Sequence, residues 1–128
     1  MARIHNPQTV HPPVGAYSHA IEVPPDARWL FISGQVAVTL DGKVPQDFAE
    51  QCKLAWTNLF NVLRSAGMER KDLVKLTVFM LRESDLPAFR EVRDRFLEGW
   101  HPATTLVFVR ALARPQWLIE IEGIAAKA

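Results

Sequence analysis

The segment TLVFVRAL, residues 105–112, is apolar on both sides of a strand. Val107, Val109 and Ala111 point one way, and Leu106, Phe108 and Leu112 point the other. A strand of this kind needs cover above and below its sheet. The rest of the chain limits what can supply that cover. Phe48, Cys52, Ala55, Leu59, Val62 and Ala66 draw one stripe at three-four spacing, which predicts a helix that starts after Pro45 and stops at Gly67. A second helix opens at SDLP, with Ser84 as N-cap and Pro87 in the first turn. It buries Phe89, Val92, Phe96 and Trp100 and ends near Gly99. Two helices cover one face of a sheet. In a 128-residue chain of one-domain size, nothing remains for the other face. The pattern therefore predicts a homo-oligomer that buries it, with ligand pockets at the subunit seams.

The other elements read as strands. Residues 1–14 form an extended lead-in rich in proline and histidine. AYSHAIEV (16–23) is a first strand closed by Pro24 and Pro25, and RWLFISGQVAV (28–38) is a second. Gly34 within it marks a bulge or a close approach. LDGK (40–43) carries Asp-Gly, the common hairpin-turn pair. DLVKLTVFML alternates, with Val74, Leu76, Val78 and Met80 on one face and Lys75, Thr77, Phe79 and Leu81 on the other. TTLVFVRAL and QWLIEIEGIA finish the chain. The order is that of a single α+β domain over residues 1–128.

Composition excludes several classes. Fifteen basic residues against fourteen acidic, with no basic run, leave no footprint for nucleic acid or an anionic membrane. No stretch approaches the ~18 uncharged apolar residues of a membrane span. Cys52 is the only cysteine, so no internal disulfide forms. MARIHNPQTVHPPVG has no apolar core of a secretory signal, and a cytoplasmic setting is expected.

Few residues announce chemistry on their own. EIE (120–122) puts two carboxylates on one side of a strand, which reads as a solvated face or as an acid/base that positions a water. His5, His11, His19 and His101 lack metal-ligand spacing, so no metal is expected. Ser18 and Ser33 lack a nucleophile elbow, and no phosphate loop or dinucleotide fingerprint is present. The four tryptophans are expected in the core and at the subunit seam.

Four segments carry a resemblance. VGAYSHA resembles the Gly-Pro-Tyr-Ser-Gln-Ala segment of the reactive-intermediate (enamine/imine) deaminases, the Rid or YjgF-like family. LFISGQ, DLVKLTVFM and LIEIEGIA are similar to that family's other segments, in order, over residues 13 to 126. The resemblance implies a chorismate-mutase-like α+β fold with a mixed sheet and two helices on one face. It also implies a homotrimer around a central β-barrel, with three clefts between subunits. The implied activity is hydrolysis of reactive 2-imino acids and their enamine tautomers to 2-oxo acids and ammonia, with no cofactor.

In that family an arginine in Pro-Ala-Arg-Ser/Thr clamps the substrate carboxylate, a task suited to a bidentate fork of N–H donors. Here the segment reads Pro102-Ala103-Thr104-Thr105, and Thr104 stands for the arginine. Losing a charge-assisted pair of this kind typically costs ~2–5 kcal/mol, or roughly 30- to 4,000-fold in binding. Arg90, at a position the family often gives to asparagine, is the first candidate to replace it. The alternative leaves Arg90, Glu91 and Arg93 in water on the helix surface. Arg110 is the second candidate, but as a strand residue six positions from Thr104 it would lie ~20 Å away. By the same resemblance Tyr17 is the cleft tyrosine, Ser33 and Gly34 line the cleft, and Glu120 orients the attacking water. Thr105 and Leu106 flank Thr104, and Glu122 stays a solvated carboxylate. Ala16, His19 and Leu106 depart from the family pattern, and Leu106 makes the cleft more apolar.

Three functions compete at this level. One is a deaminase of altered specificity, acting on a substrate without the usual α-carboxylate or holding it through Arg90. Another is a trimer that binds a small neutral or weakly polar metabolite in its clefts without turnover. The last is a ribonuclease or translation inhibitor, which the balanced charge and the lack of a basic groove disfavour.

Overall fold

The computed structural model describes residues 2–128, and the spacing rules produce the expected elements there. Two short strands, β1 (Arg3–His5) and β2 (Ala20–Glu22), precede β3 (Arg28–Gln35). Then come α1 (Phe48–Ser65), β4 (Leu73–Met80), α2 (Leu86–Leu97), β5 (Ala103–Phe108) and β6 (Ile119–Lys127). The main sheet has the order β3-β6-β4-β5. β4 and β5 run parallel, and the other pairs are antiparallel, so the sheet is mixed. Each element of the α+β reading is present.

The lead-in is not wholly unpaired. Arg3–His5 pairs with Ala20–Glu22 as a separate two-stranded ribbon, Ile4 opposite Ile21. The first predicted strand is therefore cut to three residues outside the main sheet, and a bridge from Ser18 to Ala103 joins its start to β5. The Asp-Gly turn forms, with Gly42 N–H donating to Thr39 O at 2.9 Å, but it leads into α1 and no hairpin follows. A hairpin needs a second apolar strand, and PQDF supplies none.

α1 starts where Asp47 accepts a hydrogen bond from the Glu50 N–H at 3.2 Å. It stops at Gly67, whose φ of +71° is the left-handed conformation that glycine takes without a Cβ penalty. Its buried face is wider than the predicted stripe. Trp56, Phe60 and Leu63 are buried, while Val62 and Ala66 are only partly covered. The reason is that α1 packs on both β3 and β6 and also against α2. Trp56 sits at that junction, with its ring 5.8–6.3 Å from those of Phe60, Phe89 and Phe96. Such pairs contribute ~0.5–1.5 kcal/mol each beyond area burial. Gln51, buried on the same helix, clamps two loops. Its amide donates to Pro45 O at 2.8 Å and Gln116 O at 2.7 Å, and its oxygen accepts from Leu118 N–H at 2.9 Å.

α2 is capped at Asp85 rather than Ser84, which lies in a short 3-10 turn, Glu83–Asp85. The Asp85 carboxylate makes no cap bond, because Arg82 Nε engages it at 2.7 Å. β5 ends at Phe108, not Leu112. Its parallel partner β4 stops at Met80, and the last bond between them is Val109 N–H to Met80 O at 2.8 Å. Arg110 therefore leaves the strand, and the predicted alternation through Leu112 is not that of one element.

Leu76, Val78, Met80, Ile119, Ile121 and Ile32 form the core beneath the helices. The opposite face of the sheet is uncovered. Trp29 (51% exposed) and Phe31 (73%) stack on it from β3, with Val107 exposed on β5. The unpaired apolar surface that the sequence places on β5 is thus real, and its larger part lies on β3. Among the described residues no helix is long and apolar enough to cross a membrane.

Candidate functional site

The residues singled out from sequence fall on two sides of the sheet. At its β5 edge, on the helix side, a cleft of about 190 Å3 is lined by Tyr17, Phe89, Arg90, Arg93, Thr104 and Leu106. Ser18 fixes its rim. The Ser18 hydroxyl, buried, donates to His101 O at 2.5 Å, and its backbone N–H donates to Pro102 O at 3.2 Å. These bonds tie residues 16–18 to the start of β5 and set Tyr17 beside Thr104. The Tyr17 hydroxyl accepts from Val14 N–H at 3.2 Å, and its ring meets His19 edge-on at 5.8 Å. The structural duty of Ser18 is not legible in the sequence, where a serine near a tyrosine reads equally as solvent-facing.

Thr104 carries a further commitment. Its hydroxyl donates to Pro102 O at 2.9 Å. With the proton spent there, the oxygen has only acceptor capacity left for a ligand. Arg90 lines the cleft and is exposed, so it stands at the rim in contact with water. Arg93 does not stand in water. Its side chain is 16% exposed, its guanidinium lies 5.8 Å from the Phe89 ring centroid, and its Nε donates to Asp94 Oδ1 at 3.0 Å. Helical spacing carries a signal for this: Arg93 falls four residues after inward-facing Phe89 and three after Arg90. Glu91 turns away to pair with Arg95 at 3.0 Å.

The second group lies on the open face. Glu120 is half-buried, and among the described residues it has no hydrogen bond or ion pair. It lies in a shallow depression with Phe79, Val109, Ala111 and Leu112. Its carboxylate rests directly on Gly34: a Cβ built there would fall 1.8 Å from Oε2 and 2.9 Å from Cγ. The β3–β6 register slips between Ile32 and Gln35, so Gly34 is both the bulge and the close approach expected of it. Glu122 is exposed.

Ser33 and Thr105 share neither group. Ser33 lines a separate depression on the open face, about 270 Å3, with Phe31, Lys75, Thr77, Glu122 and Ile124. Thr105 alternates away from Thr104 and accepts from Lys75 Nζ at 2.8 Å. Arg110 lines none of these clefts. No group of three histidine, cysteine or acidic side chains capable of holding a metal occurs among the described residues.

One chain does not unite the two groups. The pairings Glu120–Phe79 and Phe79–Val107 set Glu120 two strands across and three residues along from Thr104. At ~4.8 Å per strand and ~3.3 Å per residue the separation is roughly 14 Å, with the sheet between them.

Comparison with known proteins supplies the context. The profile of the family described as Endoribonuclease L-PSP matches residues 8–127. The 2-iminobutanoate/2-iminopropanoate deaminase of Mus musculus is 34% identical over 116 residues, 89% of this chain and 83% of that protein. The structure of YyfB, a Rid-family protein of unknown function from Yersinia pestis, superposes with a TM-score of 0.88 at 37% identity, covering 98% of each chain. TdcF from E. coli, solved with bound serine, gives 0.75 at 28% identity over 98% of this chain and 99% of its own.

Proposed function

The chain belongs to the Endoribonuclease L-PSP family, that of the Rid or YjgF-like proteins, and on that premise we propose that it hydrolyses a reactive imine or enamine to a carbonyl compound and ammonia. The observation that carries this reading is Glu120, a half-buried carboxylate seated on Gly34 with no partner of its own among the described residues. A free carboxylate at the end of an apolar depression is equipped to take a proton from water. The water oxygen bonds to the imine carbon as the C=N π pair moves to nitrogen and takes up a proton. The carbinolamine then collapses: the C–N bond breaks, the hydroxyl proton leaves as C=O forms, and nitrogen departs as ammonia. In each stage Glu120 takes the oxygen-bound proton and delivers it to nitrogen, first to give the NH2 of the carbinolamine and then to release NH3. No external oxidant or cofactor enters the balance.

The same reading accounts for the divided residues. Three copies close around the open sheet face, and Glu120 of one copy meets the Tyr17–Thr104 cleft of a neighbour. The exposed Trp29, Phe31 and Val107 supply the apolar surface for that assembly. Thr104 in place of a guanidinium gives the cleft a specificity different from one built on a strand arginine. With its proton committed to Pro102, it accepts from an imine or iminium N–H. Balanced charge gives no electrostatic handle for a polynucleotide, which weighs against nuclease action.

The test couples the protein to an amino-acid oxidase and traps surviving imine with semicarbazide. Wild type is expected to accelerate imine loss for at least one amino acid, and E120Q to abolish the acceleration in a protein that still folds. No acceleration across a panel of small, branched and aromatic amino acids refutes the reading.

A further inference from the structure

Two guanidinium groups line the edge cleft, and the hydrolytic steps above leave them without a task. Arg90 and Arg93 lie three residues apart on α2 and share its cleft-facing side with Phe89. Their conditions differ. Arg90 is exposed and, among the described residues, pairs with no carboxylate. Arg93 is largely withdrawn from solvent and held on two sides, by the Phe89 ring and by Asp94. The Asp94 contact uses Nε–H alone, and a guanidinium has about five N–H donors, so the terminal pair of NH2 groups keeps its fork. Asp94 is itself 61% exposed, and water screens that pair. Arg93 is therefore pre-oriented and partly desolvated, and its one ion pair leaves the terminal NH2 groups uncommitted among the described residues.

The opposite wall has the complementary chemistry. Thr104 presents an acceptor oxygen, which repels a carboxylate and suits an N–H. The cleft thus has an anion-seeking side on α2 and a donor-seeking side on β5. Its volume of about 190 Å3 is below the ~300–1,000 Å3 of drug-sized sites and suits a short carbon chain.

We propose that Arg93, assisted by Arg90, is the anion anchor of this cleft, and that its ligand is a small monocarboxylate bound with the anionic group against α2 and a nitrogen toward Thr104. The proposal rests on the reading of this cleft as the substrate side of an imine hydrolase and deepens it. What it adds is the position of the anchor: the carboxylate is held from the helix instead of the strand. Specificity follows from placement. The anchor fixes where the carboxylate sits, so the carbon presented to water is set by its distance from α2.

Binding tests this without turnover. Titration calorimetry on the full-length protein at low salt uses pyruvate and its neutral amide, pyruvamide, as probes. Wild type is expected to prefer pyruvate by at least about tenfold, as a fork-held carboxylate should. R93Q is expected to bind the two within about twofold of each other, R90Q to lose part of the preference, and R93K to fall between R93Q and wild type. R93K keeps the charge and loses the fork, so the test stays decisive even where R93Q lowers the melting temperature. An unchanged preference in R93Q, or equal or absent binding of both probes by wild type, overturns the anchor. The hydrolytic reading is scored separately. Imine hydrolysis of carboxylate substrates unaffected by R93Q removes the anchor and spares the activity. Lost anion preference in a protein that hydrolyses no imine does the reverse.

Discussion

Gly34→Ala is the sharpest perturbation of the proposed chemistry. The added methyl would lie 1.8 Å from Glu120 Oε2, 2.7 Å from Cδ and 2.9 Å from Cγ, so more than the carboxylate tip must move. Every atom met belongs to one side chain, and Gly34 does not occupy the left-handed region, so the backbone accepts alanine. The stability terms nearly cancel. Forcing Glu120 off its rotamer costs ~0.5–1.5 kcal/mol, and replacing glycine in the unfolded chain returns ~0.4–1 kcal/mol. The melting temperature should shift by no more than about 5 °C. Activity should not survive so well. A displacement on the order of 1 Å at a group that handles a proton typically costs ~100-fold, and losing the group altogether costs up to ~10,000-fold. The assay is imine loss under single-substrate conditions, with E120Q as the floor. A folded G34A protein with more than half of wild-type kcat/KM would refute the placement of Glu120 at the reacting centre.

Further consequences follow from burial and packing. F31E puts a charge at the centre of the open apolar face, where covering a phenylalanine is worth ~1.5–3 kcal/mol per copy. Sedimentation should show it as a single chain while wild type runs at three times 14.5 kDa, and equal masses contradict the assembly. Q51L leaves Pro45 O, Gln116 O and Leu118 N–H without their partner, which should cost at least about 2 kcal/mol in urea unfolding. An unchanged midpoint removes Gln51 as a clamp. Burial pushes the Cys52 thiol from 9.0 up to about 12, so the folded state keeps its proton where the unfolded state loses it. Stability from this group is therefore complete below pH ~9 and is lost as pH rises toward 12, by up to ~1.4 kcal/mol per unit. C52A should show a shallower decline over that range, and the native thiol should resist disulfide reagents at pH ~8.

The two helices, β4 and the need for a partner face are written in periodicity, because burial on one side of an element repeats along it. Element ends obey different causes. β5 stops where its neighbour stops, and Ser84 loses the cap to Asp85 because the chain first tightens into a 3-10 turn. The first cause lies in a distant strand, and the second in a turn that no cap rule signals. The site is half legible. Tyr17, Thr104, Arg90 and Leu106 line one cleft, whereas Gly34 and Glu120, which the resemblance assigns to the same cleft, meet on the other face of the sheet. Strand alternation alone sends Thr105 to the face opposite Thr104, a signal the sequence carries. Arg93 hides in a charged run of the kind that usually faces water on a helix. Its burial depends on Phe89 and on the distant segment around Tyr17 that closes the cleft.

Whether the two half-sites meet across a subunit seam is tested most directly by mixing two dead variants. E120Q lacks the water-handling carboxylate, and T104W fills the edge cleft. Each alone should be inactive. After joint unfolding and refolding at equal amounts, a seam needs an intact Glu120 from one copy and an intact cleft from its neighbour, so about a quarter of wild-type imine hydrolysis should return. A mixture that stays inactive, while wild type put through the same refolding recovers fully, would contradict the shared site.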